Sequence, residues 1–129
     1  MTKQTKAFKL LLVDDEAEFA LTLAERLELR GFGCTVCPSG ETALEKARYE
    51  HFDLVLLDVM LPGQNGLVVM RRLRELKPEL PIMLLTGNSN ARDGIEGMKQ
   101  GARAYLTKPV ELQALLELVA EVQEEASHE

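Results

Sequence analysis

Short apolar runs alternate along the chain with longer stretches in which apolar residues recur every three or four positions. The runs predict strands at Lys9–Val13, Cys34–Cys37, Leu54–Leu57, Ile82–Leu85 and Ala104–Leu106. The first, third and fourth are continuous, as strands covered on both faces are. The second and fifth are shorter and mixed, as at the edges of a sheet. Between them, Ala17–Arg30 carries Ala20, Leu23, Ala24 and Leu27 at helical spacing, and Gly31 can close it. Ser39 is placed to cap a helix at Glu41–Tyr49, and Asn65 to cap Gly66–Leu76, which Pro78 keeps from running on. A fourth helix spans Ala91–Gln100 before Gly101. A fifth spans Glu111–Glu125, with Leu112, Leu115, Leu116, Val119 and Val122 as its sheet-facing stripe.

Strand and helix alternate five times. Each helix is long enough to cross over between parallel strands, and such crossovers are right-handed. The pattern predicts an α/β fold, an open, doubly wound parallel sheet of five strands with helices on both faces. With 129 residues there is room for one domain and a real core. No repeat or linker divides the chain, and Glu124–Glu129 reads as a frayed acidic tail.

Composition narrows the partners. The net charge of −6 argues against direct nucleic-acid binding through a basic face. The opening MTKQTKAFKLLLVDDE lacks the features of a signal peptide, because its apolar run stops at two aspartates. No segment approaches the roughly 18 apolar residues of a membrane span, so the expected location is cytoplasmic and no membrane partner is expected. Cys34 and Cys37 form a lone C-x-x-C inside a predicted strand, where their odd separation sends the side chains to opposite faces. They read as ordinary strand cysteines.

Ligands of open α/β sheets bind beyond the carboxyl ends of the strands. After the first strand stand Asp14 and Asp15, after the third Asp58, after the fourth Thr86, and after the fifth Lys108 and Pro109. Asp53 precedes the third strand and falls about 17 Å from Asp58, at about 3.3 Å per residue. Taken singly these residues have plain readings: Asp14 and Asp15 as a helix start, Asp58 as a turn residue. Together they put three carboxylates, a hydroxyl and an ammonium in one crevice. Clustered carboxylates repel in a partly desolvated site, one lysine does not balance them, and Mg²⁺ suits hard oxygen ligands.

The ordered set VDDE, LLDVMLPGQNG, LLTG and GMKQGARAYLTKP resembles the receiver domain of two-component response regulators, over about residues 8–123. The resemblance implies a flavodoxin-like strand order 2-1-3-4-5. It implies that Asp58 is the phosphoacceptor, taking a phosphoryl group from a histidine kinase or phosphotransfer protein. Asp15, Asp58 and the carbonyl of Met60 would then hold Mg²⁺ directly and Asp14 largely through water. Lys108 would pair with the phosphoryl group and Thr86 hydrogen-bond to it. Tyr105 matches the aromatic switch position, and Lys108–Pro109 the bond that is typically cis. Thr86 and Tyr105 would together alter the surface of the fourth helix, fifth strand and fifth helix, where a protein target or output domain would bind. A homodimer through that face is compatible with the sequence, although no residue pattern singles it out. Such a domain catalyses only its own phosphorylation and dephosphorylation, with no external substrate.

Departures are few. Asn65 stands where the family more often has Asp, and either caps a helix. Met60 and Asn88 occupy positions that tune phosphate lifetime in the family, and Met60 cannot position a water. Glu16 reads as an early helix charge facing the positive end of the dipole. Gly94 and Gly97 fall inside the fourth helix, either for close packing or to keep it loose enough to remodel. His51 and His128 read as exposed. Met1 and the short tail favour a stand-alone receiver over one excised from a longer regulator. Two other readings use the same sheet. A flavin carrier would want a Ser/Thr/Gly-rich loop where Asp14 and Asp15 stand, and a haloacid-type phosphatase would show D-x-D there. A receiver-shaped module that is never phosphorylated would usually lack one of the acids or the lysine, and all are present.

Overall fold

A computed structural model describes residues 7–87 and 91–127. In chain order it has β1 (Lys9–Val13), α1 (Ala17–Glu28), β2 (Gly33–Cys37), α2 (Gly40–Tyr49), β3 (Leu54–Asp58), α3 (Gly66–Leu76), β4 (Ile82–Thr86), α4 (Ala91–Lys99), β5 (Ala104–Thr107) and α5 (Leu112–Ser127). The sheet is parallel throughout, in the order β2-β1-β3-β4-β5. The two mixed strands are its edges, and the three continuous apolar runs lie inside.

Alternation along the strands explains why the inner ones are apolar at every position. Leu11, Val13, Val55, Leu57, Ile82 and Leu84 face the layer formed by α2 and α3, with α4 closing its end. Leu10, Leu12, Leu54, Leu56, Met83 and Leu85 face α1 and α5, where Leu115, Val119 and Val122 are buried. Each successive residue turns to the other face, and both faces are covered. Cys34 and Cys37 follow the same rule: both are free, and they pack into opposite layers. Burial pushes the Cys34 thiol up to about 12, with Glu28 adding to the effect, so it has little thiolate to offer.

The helix starts follow their capping residues. Ser39 and Thr42 form a reciprocal capping box before α2, and Asn65 Oδ1 accepts from Leu67 N at 2.8 Å before α3. Two features differ from the expected pattern. A short antiparallel hairpin, Met60–Leu61 with Gln64–Asn65, precedes α3. It turns through Gly63, whose φ of +67° favours glycine. The acidic tail is also helical through Ser127, and Arg103 reaches across to Glu121 at 2.9 Å and Glu125 at 2.7 Å.

Gly94 and Gly97 stand where the packing leaves no room for a side chain. A Cβ on Gly94 would stand 2.5 Å from Tyr105 Cδ2, and one on Gly97 would collide with Leu84 Cδ1. The helix rests directly on β4 and β5, so its glycines have a packing role that the looser reading does not require.

Candidate functional site

The carboxyl ends of β1, β3 and β4 and the loop after β5 converge on one crevice. Asp14 N donates to Cys37 O at 3.0 Å, extending the β1–β2 ladder to the acid itself. Asp14 Oδ1 accepts from Glu16 N at 2.9 Å, a tight turn that aims Oδ2 inward. Asp58 repeats the device: Oδ1 accepts from Met60 N at 2.9 Å, leaving Oδ2 to face the crevice. Behind it, Gly66 packs so closely that a Cβ would stand 2.6 Å from Asp58 O and from Val59 Cα.

Lys108 enters from the opposite side, its backbone N bonded to Thr86 O at 2.8 Å. The Lys108–Pro109 bond is cis. Its ammonium lies 2.6 Å from Glu16 Oε1, 2.7 Å from Asp14 Oδ2 and 3.2 Å from Asp58 Oδ2. It also sits 4.7 Å from the centre of the Phe19 ring. The approach to Asp14 Oδ2 is an ion pair without hydrogen-bond geometry, so that oxygen keeps a lone pair to offer.

Burial sets the electrostatics. Asp14 and Asp58 are only 1% and 4% exposed, so neither is relieved by water. Burial raises the pKa of Asp58; the Met60 N–H opposes this, Asp14 adds to it, Lys108 opposes it, and the net direction is up. For Lys108, burial alone works against the charge. The close contacts with Asp14 and Glu16 and the charges of Asp14 and Asp58 outweigh it and hold the ammonium firmly protonated.

Thr86 closes the crevice with a fully buried hydroxyl that has no partner among the described residues. A buried hydroxyl left unpaired is unfavourable, and this one ends the strand next to β3. Leu84 is paired with Tyr105 and Thr86 with Thr107, so Thr86 and Tyr105 lie on the same side of the sheet. The half-buried Tyr105 ring packs into that layer against α4.

The residues expected in the crevice are not all gathered in one way. Asp14, Asp58, Thr86 and Lys108 stand around it. Oxygens of Asp14, Glu16 and Asp58 lie within 4.8 Å of one another, a grouping that could hold a metal ion. Asp15 is exposed and lies outside that group, and Glu16, read from the sequence as a helix charge, stands inside it. The side chain of Met60 is exposed, while its backbone N–H is engaged by Asp58. At the far end of the sheet Asp53 bonds Lys9 N and His51, away from the crevice. Asn88 and His128 lie outside the described residues.

The donor set suits a hard divalent cation: all oxygen, two buried carboxylates and one exposed, and a single ammonium against three negative charges. An open parallel α/β domain with an acidic crevice at a strand switch point is the class this fold and site define. Residues 10–120 match the model of the response regulator receiver domain, and the chain belongs to that family. It is therefore a receiver domain of the kind found in two-component response regulators.

Among similar proteins is the uncharacterized transcriptional regulatory protein YkoG of Bacillus subtilis, 42% identical over 83% of this chain and 47% of its own length. The chain spans about half the length, or less, of the curated relatives it matches. A CheY-like receiver domain protein from Methanospirillum hungatei superposes with a TM-score of 0.89 at 26% identity, covering 96% of this chain and all of that one. A response regulator from Burkholderia pseudomallei, solved with a phosphorylated aspartic acid, a calcium ion and citrate, superposes with a TM-score of 0.79. It is 33% identical over 92% of this chain and 72% of that one. Among the described residues, no helix is long and apolar enough to cross a membrane.

Proposed function

We propose that Asp58 accepts a phosphoryl group, and that this drives the chain as a signalling switch. The observation that carries the reading is Asp58 itself: a buried carboxylate with Oδ1 anchored by Met60 N and Oδ2 facing Lys108 in the open crevice. Oδ2 attacks phosphorus, the bond from phosphorus to the donor atom breaks, and an aspartyl phosphate forms. The expected donor is a phosphohistidine of a histidine kinase or phosphotransfer protein. Positioning and charge neutralisation do most of the work in such transfers. Lys108 supplies part of that neutralisation, and the Thr86 hydroxyl is ready to donate.

Mg²⁺ is the cation proposed for the crevice. Asp14 and Asp58 would hold it, Glu16 is within reach, and Asp15 and the Met60 carbonyl are the ligands the family resemblance adds. Bound there, it would offset the charge that gathers on the phosphoryl oxygens.

The receiver unit is proposed to span about residues 8–123 and to act in the cytoplasm. It would turn over no external substrate beyond its own phosphorylation and dephosphorylation. Its readout surface is proposed to be α4, β5 and α5, where Ile95 and Met98 are 51% and 43% exposed. A protein target or output domain would meet that face, with the drawing of Thr86 toward the phosphoryl group and a shift of Tyr105 as the signal. The test is labelling of the whole chain with radioactive acetyl phosphate. Labelling should need Mg²⁺ and vanish in Asp58→Ala, and unchanged labelling of that variant would overturn the assignment.

A further inference from the structure

Glu16 immediately precedes α1, yet its side chain makes no capping bond. It reaches across the crevice mouth instead, and its 2.6 Å contact is the shortest of the three that Lys108 makes with carboxylates. Phe19, on the first turn of α1, lays its ring against the same ammonium. Lys108 is therefore drawn toward α1, and Asp58 receives its longest and weakest contact.

We propose that Glu16 is a positioning residue for Lys108, a tether that holds the ammonium on the α1 side until a phosphoryl group on Asp58 draws it away. The proposal rests on Asp58 being the acceptor. A phosphoryl group adds negative charge and strong acceptor oxygens at Asp58. Lys108 can serve them fully only by loosening its bond to Glu16. The Glu16 side chain is 62% exposed, so it can turn to water when released. An ion pair with one partner this exposed is weak, which suits a tether that tunes the site without locking it. A metal ligand would behave in the opposite way: its removal would weaken the phosphoryl-bound state, whereas removal of a tether strengthens it.

The experiment is a titration of the whole Mg²⁺-loaded chain with beryllofluoride, a tetrahedral mimic of the phosphoryl group, followed by NMR. Unaltered protein is compared with Glu16→Gln, Lys108→Ala, the double variant and Asp58→Ala. Glu16→Gln should bind about two- to fivefold more tightly, as expected for loss of an exposed competing pair. The gain should disappear in the Lys108→Ala background and shrink at high salt. Equal or weaker binding by Glu16→Gln, or the same gain without Lys108, overturns the tether. Binding that is absent from the unaltered chain, or that survives Asp58→Ala, overturns the reading of Asp58 itself and removes the ground for the tether.

Discussion

Lys108 Nζ donates to Asp58 Oδ2 at 3.2 Å across 50 residues of sequence, tying the loop after β5 to the end of β3. The bond is long for a charged pair, because the ammonium is shared with Asp14 and Glu16. Asp58 is consequently buried without full compensation, and its pKa is raised.

That imbalance has a measurable sign. A carboxyl that holds its proton more tightly when folded than when unfolded takes stability away above its folded-state pKa. The loss fades as pH falls through that value. Asp58→Asn should therefore stabilise the metal-free chain at neutral pH by about 1 kcal/mol, or roughly 3 °C in Tm. Thermal melts in a chelating buffer should show the gain shrinking as the medium is acidified. Lys108 keeps Asp14 and Glu16 in this variant, so no new buried charge is left unpaired.

Divalent cation should have the same stabilising effect by a different route. A ligand that binds only the folded state adds about 2.7 kcal/mol at a hundred times its Kd. Melting with and without Mg²⁺ should show the increment in the unaltered chain and lose most of it in Asp14→Asn.

Thr86→Val removes a hydroxyl that has no partner among the described residues while keeping the branched shape. The resting chain should gain about 1 kcal/mol in urea denaturation, since an unpaired buried hydroxyl is relieved. The same variant should fail to pass the effect of beryllofluoride to α4 and β5, read as amide shift changes confined to the crevice.

The α4 glycines separate packing from propensity. Gly97→Ala improves helix propensity by about 1 kcal/mol, yet its methyl group meets Leu84 Cδ1 and comes to 3.3 Å from Leu67 Cδ2. Overpacking costs about 1–3 kcal/mol, so urea unfolding should show a net loss or at best no gain. Gly94→Ala should push the Tyr105 ring outward. With no Trp and only two Tyr, a Tyr49→Phe background leaves Tyr105 as the single strong fluorophore, and iodide should quench it more readily in the variant.

Much of the crevice was readable in advance because each side chain that lines it follows a recognisable strand. Asp14, Asp58, Thr86 and Lys108 sit at strand ends, and a parallel sheet brings strand ends to one edge. Glu16 was not readable in this way. Its long side chain takes its direction from a lysine 92 positions away, and nothing in its local pattern distinguishes it from an ordinary first-turn acid. The helix also continues past Glu125 to Ser127, and the reach of Arg103 to Glu121 and Glu125 is a long-range contact that the local pattern does not show. For Gly94 and Gly97 the sequence left packing and looseness as equal alternatives. The proximity of Tyr105 and Leu84 supports the packing reading, and no local pattern shows it.

Gly66 gives the crevice unequal walls. Its backbone is pressed against Asp58 O and Val59, and Gly66 N donates to Val59 O at 2.9 Å, so the end of β3 and the start of α3 form one braced block. Across from it, the Thr86 hydroxyl makes no bond among the described residues. A phosphoryl group added at Asp58 would meet a stiff side and a yielding side, and β4 is the side expected to give way.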